Sequence, residues 1–165
     1  MSTVVAADVD LYYERHGTGT RLLFLNGSGT TIETTRAMFS VFDPSFDFLT
    51  LDARGLGLSG PVTRPYAMAD CAADALAVMD AEGWDRACVL GVSFGGMVAQ
   101  ELAVTAPDRV ERLALLCTSP GGPDRSSYPL HELEALPEEQ RSALRRQLID
   151  TRFDDAWLAA HPDDA

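Results

Sequence analysis

The sequence predicts an α/β domain: a mostly parallel sheet with an antiparallel hairpin at its N-terminal edge and helices on both faces. Three observations lead there. Short runs at residues 21–26, 87–92 and 112–117 are apolar without alternation and recur between helical patterns, as strands of a parallel sheet covered on both sides do. Residues 3–15 read as two strands around a turn at Asp8, the pattern of an edge hairpin. The chain has 165 residues, of which 46% are hydrophobic and 23% charged, enough for one ordinary core. That composition excludes a disulfide-stapled miniprotein and a disordered tail.

The elements follow in order. His16-Gly17-Thr18-Gly19 closes the hairpin, and Arg21-Leu22-Leu23-Phe24-Leu25-Asn26 is a buried strand ending in Gly27-Ser28-Gly29. Residues 46–52 form the next strand, followed by a glycine-rich loop to Pro61. Residues 66–82 read as a helix with Met68, Cys71, Ala72, Ala75, Leu76 and Met79 on one face, ended by Gly83. Strand 87–92 leads into a helix at 94–105, which Pro107 stops, and strand 112–117 is the sixth. Residues 1–119 are therefore read as the sheet-bearing core. Residues 120–165 read as a turn-rich linker and short helices at 130–136, 137–150 and 153–160, with Pro137, Glu138 and Glu139 suited to a first helical turn.

Charge and cysteine usage narrow the function classes. The formal net charge is −12, and every one of the 13 basic residues is arginine, with no basic cluster. Nucleic acid and anionic membrane are thus poor partners, and a small-molecule substrate is expected. No run is long enough for a membrane span, and the N-terminus lacks a basic n-region and an apolar stretch. Cys71, Cys88 and Cys117 sit in apolar runs without CxxC spacing, so they read as inert core thiols, and no metal site is expected. An odd number of buried thiols fits a reducing compartment, and a cytoplasmic location is the default.

Gly91-Val92-Ser93-Phe94-Gly95-Gly96 carries the chemistry. It matches Gly-x-Ser-x-Gly where that motif needs to be, between a buried strand and a helix. The two glycines allow a tight strand-to-helix turn, Ser93 sits at its tip as a candidate nucleophile, and the helix N-terminus offers N–H groups to developing negative charge. A plain turn with an incidental serine is the bland alternative. Asn26-Gly27-Ser28-Gly29 follows a central strand, where the second oxyanion donor of such a site belongs. The oxyanion candidates are the N–H groups of Ser28 and Phe94. Residues 55–60 formally match Gly-x-Gly-x-x-Gly, but Pro61 and a polar turn follow where a helix would have to open. NAD and FAD are therefore excluded and no cofactor is expected. Asp52 and Arg54 read as a structural pair within that loop.

Together the Asn26-Gly27-Ser28-Gly29 loop, Asp52-x-Arg54-Gly55-x-Gly57-x-Ser59 and Gly91-x-Ser93-x-Gly95-Gly96 resemble, in order and spacing, the α/β-hydrolase superfamily. The branch they resemble is that of β-ketoadipate enol-lactone hydrolases and related bacterial esterases and haloperoxidase-like enzymes. Asn26 stands where many relatives carry histidine. The resemblance covers residues 3–119, and the helices beyond resemble the start of that family's cap. It implies a serine hydrolase acting on a small carboxylic ester or lactone. It also implies a fold truncated after the sixth strand, with the base and acid beyond Ala165.

Candidates for the base and acid within the chain are weak. His16 precedes the serine and lies in the hairpin turn. His131 and His161 follow it but fall in the cap-like helices, where surface residues are the plain alternative. Asp124 follows strand 112–117, where some relatives place the acid, yet it sits in a Gly/Pro turn. Two alternatives stay open: a catalytically inactive scaffold or binding protein, and perhydrolysis or C–C bond cleavage with the same nucleophile. Strand 112–117 would be an exposed apolar edge, inviting homo-oligomer formation.

Overall fold

The computed structural model describes residues 2–39, 45–121, 133, 135–141, 144 and 155–160. The chain divides into two compact units, Met1–Arg125 and Ser126–Ala165. In the first, β1 (Ser2–Ala6) and β2 (Val9–His16) form the antiparallel hairpin, turning at Ala7. β3 (Thr20–Leu25), β4 (Phe46–Leu51), β5 (Ala87–Val92) and β6 (Val110–Leu116) are mutually parallel. The six-stranded sheet has the order β1-β2-β4-β3-β5-β6, with β2 antiparallel to β4. The predicted sheet and its hairpin are both present, and each strand lies within two residues of its expected start.

Strand alternation sends side chains to two cores. On one face Leu23, Leu25, Leu49 and Val89 pack with Ala75, Val78 and Met79 of α2 (Met68–Ala81) and Ala99 and Leu102 of α3 (Phe94–Thr105). On the other, Phe24, Phe48 and Leu90 meet Ile32 and Phe39 of α1 (Ile32–Phe39). The rings of Phe24, Phe39 and Phe48 lie 4.8–5.7 Å apart, at mutual angles from stacked to edge-on.

α1 is the element that the periodicity misses. Its segment carries Thr31, Thr34 and Thr35, poor helix formers with no broad apolar stripe. Its start is built by a reciprocal cap instead. Thr34 N–H donates to Thr31 Oγ1 at 3.3 Å, and Thr31 N–H donates to Thr34 Oγ1 at 2.9 Å. The Ile32 N–H donates to Asp52 Oδ1 at 2.7 Å. Burial of Ile32 and Phe39 adds about 1.5–3 kcal/mol each.

β6 closes the described sheet. It pairs with β5, and among the described residues no strand pairs with its other edge. Leu113, Leu115 and Leu116 stay 40%, 39% and 49% exposed. This corrects the expectation of three core thiols. Cys71 is buried, with its thiol pushed up to about 11 by desolvation, and Cys88 is half-buried. Cys117, at the end of this uncovered strand, is exposed and left-handed with φ +50°.

In the second unit, Leu136 N–H closes a turn on Leu133 O at 3.1 Å, and Arg141 N–H bonds Pro137 O at 3.0 Å in a helical turn where Arg141 also pairs with Glu138. α4 spans Asp155–Ala160. The rest of the three helices expected over 130–160 lies outside the described residues. No helix among the described residues is long and apolar enough to cross a membrane.

Candidate functional site

The strand-to-helix turn between β5 and α3 is as tight as the glycines imply. Ser93 alone separates the two elements, at φ +53° and ψ −117°. A Cβ on Gly91 would lie 2.4 Å from Gly95 O, and one on Gly95 would lie 2.1 Å from Leu25 O and 2.5 Å from Asn26 O. Backbone packs against backbone at both positions, so neither tolerates a side chain. A non-glycine residue in this conformation carries strain of about 1–3 kcal/mol and persists only where its surroundings over-determine it. Here they do. Ser93 N–H donates to Leu116 O at 2.9 Å, and Ser93 O accepts from Gly96 N–H at 3.0 Å, Met97 N–H at 3.3 Å and Thr118 Oγ1–H at 2.7 Å. The Ser93 side chain is half-buried, and its hydroxyl has no hydrogen-bond partner among the described residues.

The loop after β3 lies against this turn. A Cβ on Gly27 would stand 3.6 Å from Ser93 Cβ and from Val92 O. The loop is pinned by Thr30, whose N–H and hydroxyl both donate to Gly27 O, at 3.3 and 2.8 Å. Ser28 is exposed beyond that pin. Among the described residues neither the Ser28 N–H nor the Phe94 N–H has an acceptor. Phe94 is also the first residue of α3, where the aligned peptide dipoles favour negative charge. Asn26, one residue before the loop, is buried, and neither its Oδ1 nor its Nδ2 has a partner in the described structure.

The Gly55–Gly60 segment is a set of turns and opens no helix. Gly55 and Gly57 take φ +78° and +53°, and Gly55 N–H donates to Gly60 O at 3.0 Å. Asp52 and Arg54 do not pair with each other. They are two apart, yet the chain turns between them, and each finds its own partners. The Asp52 carboxylate accepts from Ile32 N–H at 2.7 Å and from Leu58 N–H at 2.9 Å, and Gly57 makes room for it. Arg54 crosses to α2, where Nε and Nη2 each donate to a different Asp74 oxygen at 2.7 Å. Both side chains are 3% exposed. The two hydrogen bonds to Asp74 hold the Arg54 guanidinium firmly in its charged form. Arg54, Tyr66, Val62, Leu56 and Pro61 line an open cavity of about 460 Å³ together with Ser28 and Phe94. Ser28 and Phe94, whose N–H groups have no acceptor among the described residues, therefore border a largely apolar recess, and Ser93 directly precedes Phe94.

The remaining site candidates fall elsewhere. The ring of His16 lies 2.8 Å from Glu14 Oε2, and His16 pairs with Phe48 toward the N-terminal end of β4, away from the strand ends that carry Ser93. Asp124, His131 and His161 lie outside the described residues. No His, Cys, Asp and Glu cluster suited to a metal ion occurs among the described residues. Sequence reasoning missed Asp74 and Thr118. A carboxylate on the apolar stripe of α2 was the available signal for Asp74.

A family model described as alpha/beta hydrolase fold matches residues 20–154. A protein provisionally named a carbamate hydrolase, from Azorhizobium caulinodans, is 36% identical over 109 residues, covering 66% of this chain and 41% of the relative. 3-oxoadipate enol-lactonase 2 of Acinetobacter baylyi is 29% identical over 119 residues, covering 71% and 45%. The crystal structure of a hydrolase from Pseudomonas aeruginosa superposes with a TM-score of 0.72 at 34% identity, covering 81% of this chain and 50% of that one. The chain spans less than half the length of these curated relatives.

Proposed function

Because the chain belongs to the α/β hydrolase fold family, we propose that it carries the nucleophile and oxyanion-binding half of a serine hydrolase acting on a small carboxylic ester or lactone. Ser93 Oγ attacks the carbonyl carbon while a histidine, outside the described residues, takes its proton. The carbonyl oxygen becomes an oxyanion held by the N–H groups of Ser28 and Phe94. Collapse expels the alcohol, which leaves with the proton from that histidine, and water then releases the acyl group from Ser93 by the same steps. The relatives named for enol-lactone and carbamate hydrolysis both act on a carbonyl group bonded to a heteroatom, which supports this class of substrate.

One observation carries the reading: Ser93 stands left-handed between β5 and α3 with two unpartnered N–H groups beside it. A fluorophosphonate probe tests it on the intact protein that contains this chain. Stoichiometric labelling that disappears in Ser93→Ala is expected. No labelling, or labelling that survives the substitution, overturns the assignment.

A second reading applies to the 165 residues by themselves. The described residues bring no histidine to Ser93, and an oxyanion hole without a base retains only about 10³–10⁴ of rate over water. On this reading the isolated chain is a catalytically silent scaffold. Turnover by the isolated chain that is lost on changing His131 or His161 refutes it.

A further inference from the structure

We infer that Thr118, at the end of β6, is a positioning residue that aims the Phe94 N–H into the oxyanion site by gripping the opposite end of the same peptide group. The inference rests on the reading of Ser93 as the nucleophile. The peptide bond joining Ser93 to Phe94 is planar and trans, so its C=O and N–H point in opposite directions. Whatever fixes the direction of Ser93 O therefore fixes the direction of Phe94 N–H. Ser93 O is fixed from outside the turn by the Thr118 hydroxyl at 2.7 Å.

Three further features show that the end of β6 is shaped for this contact. Leu116 O receives the Ser93 N–H at 2.9 Å, so the strand end holds the strained residue at both its backbone groups. The chain then turns through Cys117 at φ +50°, a conformation that non-glycine residues rarely adopt, and this turn brings Thr118 under the elbow. Finally, Gly96 leaves the space that Thr118 fills. A Cβ there would lie 2.6 Å from Thr118 Cβ and Cγ2 and 2.7 Å from its Oγ1. Gln100 adds a tie one residue further, with Nε2 donating to Ser119 O at 3.0 Å and to Gly96 O at 3.1 Å.

Helix bonds from Gly96 and Met97 also reach Ser93 O, so the turn folds without the threonine. What the hydroxyl adds is a third, lateral restraint on the peptide plane. An oxyanion donor works by its geometry at the developing charge, so a tilted plane weakens catalysis and leaves ground-state binding alone.

The experiment compares Thr118→Val, Thr118→Ser and Ser93→Ala in the intact protein with a chromogenic short-chain ester. Thr118→Val keeps the shape and removes the hydroxyl. It is expected to lower kcat about 10-fold, less than the 10²–10³ of losing a donor outright, with KM unchanged and the far-UV circular dichroism retained. Thr118→Ser restores the hydroxyl and is expected to recover kcat to within about 2-fold. Equal kcat in Thr118→Val and wild type, or equal losses in the valine and serine variants, overturns the inference. So does a change confined to KM. Ser93→Ala separates this failure from that of the underlying reading: turnover that survives it removes the nucleophile itself, whereas turnover lost with Thr118→Val unaffected removes only the role of Thr118.

Discussion

Arg54 and Asp74 offer the sharpest test of how the loop beside the site is held. Both side chains are 3% exposed, and two parallel hydrogen bonds of 2.7 Å join them. At an effective dielectric of about 20 the attraction between such charges is about 4 kcal/mol, comparable with the several kcal/mol per ion lost on leaving water. The pair is thus close to neutral for stability as a unit, and removing one member is what costs. Arg54→Met strands a buried carboxylate and is expected to cost about 3–5 kcal/mol at pH 7. Asp74→Leu is expected to cost about 3 kcal/mol, the low end of that range, because Asp8 remains 3.4 Å from Arg54 Nη1. Arg54→Met/Asp74→Leu is expected to return to within about 1 kcal/mol of wild type, giving a coupling energy of at least about 3 kcal/mol. The pH dependence has a definite sign. Burial already pushes the Asp74 carboxyl upward, against the pull of Arg54. Without Arg54 its folded pKa lies further above the unfolded value of about 3.9. The penalty in Arg54→Met is therefore full at neutral pH and is relieved as pH falls toward 3.9. Urea unfolding followed by tryptophan fluorescence reads all four proteins. Single substitutions that each cost under about 1 kcal/mol, or a coupling near zero, would refute the reasoning.

Three more outcomes follow from the packing and the charges. Gly95→Ala places a Cβ 2.1 Å from Leu25 O, a backbone atom that cannot rotate aside, and is expected to destabilise by about 3 kcal/mol; a melting temperature within about 2 °C of wild type counts against the close approach. The Arg36 guanidinium, helped by Tyr12 and His16, holds the Glu14 carboxyl down to about 2, so its stabilisation is complete above the unfolded value near 4.5 and fades as pH falls toward 2. Glu14→Gln should remove about 2 kcal/mol at pH 7 and flatten acid unfolding in that window, and an unchanged acid midpoint would contradict it. Expressed as these 165 residues, the chain is expected to self-associate through the apolar edge of β6, which no strand covers among the described residues, with Leu113→Lys and Leu115→Lys restoring a monomer in sedimentation; a wild-type monomer at high concentration would dispose of this.

What was readable in the sequence and what was not divide along the range of the constraint. β3 and β5 announce themselves because a strand covered on both faces must be apolar along its buried length. The elbow is readable because its demand is steric and local. Gly91 and Gly95 are glycine since backbone atoms stand within 2.4 Å of where their Cβ atoms would be. α1 is silent for the opposite reason: the acceptor of its Ile32 N–H is Asp52, 20 residues away, and no window of the chain contains both. The Asp52–Arg54 misreading has the same origin. Adjacency in sequence suggested a pair, but the turn after β4 sends Asp52 to two backbone N–H groups and Arg54 to a carboxylate on α2.

The elbow itself then shows that even a local motif is completed from afar. Gly-x-Ser-x-Gly specifies that the chain turns sharply at Ser93, and it leaves open which way the Ser93–Phe94 peptide plane faces. Beyond the helix bonds from Gly96 and Met97, that plane is held at Ser93 O by Thr118, 25 residues downstream, while Leu116 holds the preceding peptide through the Ser93 N–H. Gly96 belongs to this second constraint. It lies outside the minimal motif, and the atoms that a Cβ there would strike are those of Thr118. A glycine just past a nucleophile motif is therefore the local trace of a remote residue pressing against the turn, and its neighbour across the gap is the place to look for what orients the site.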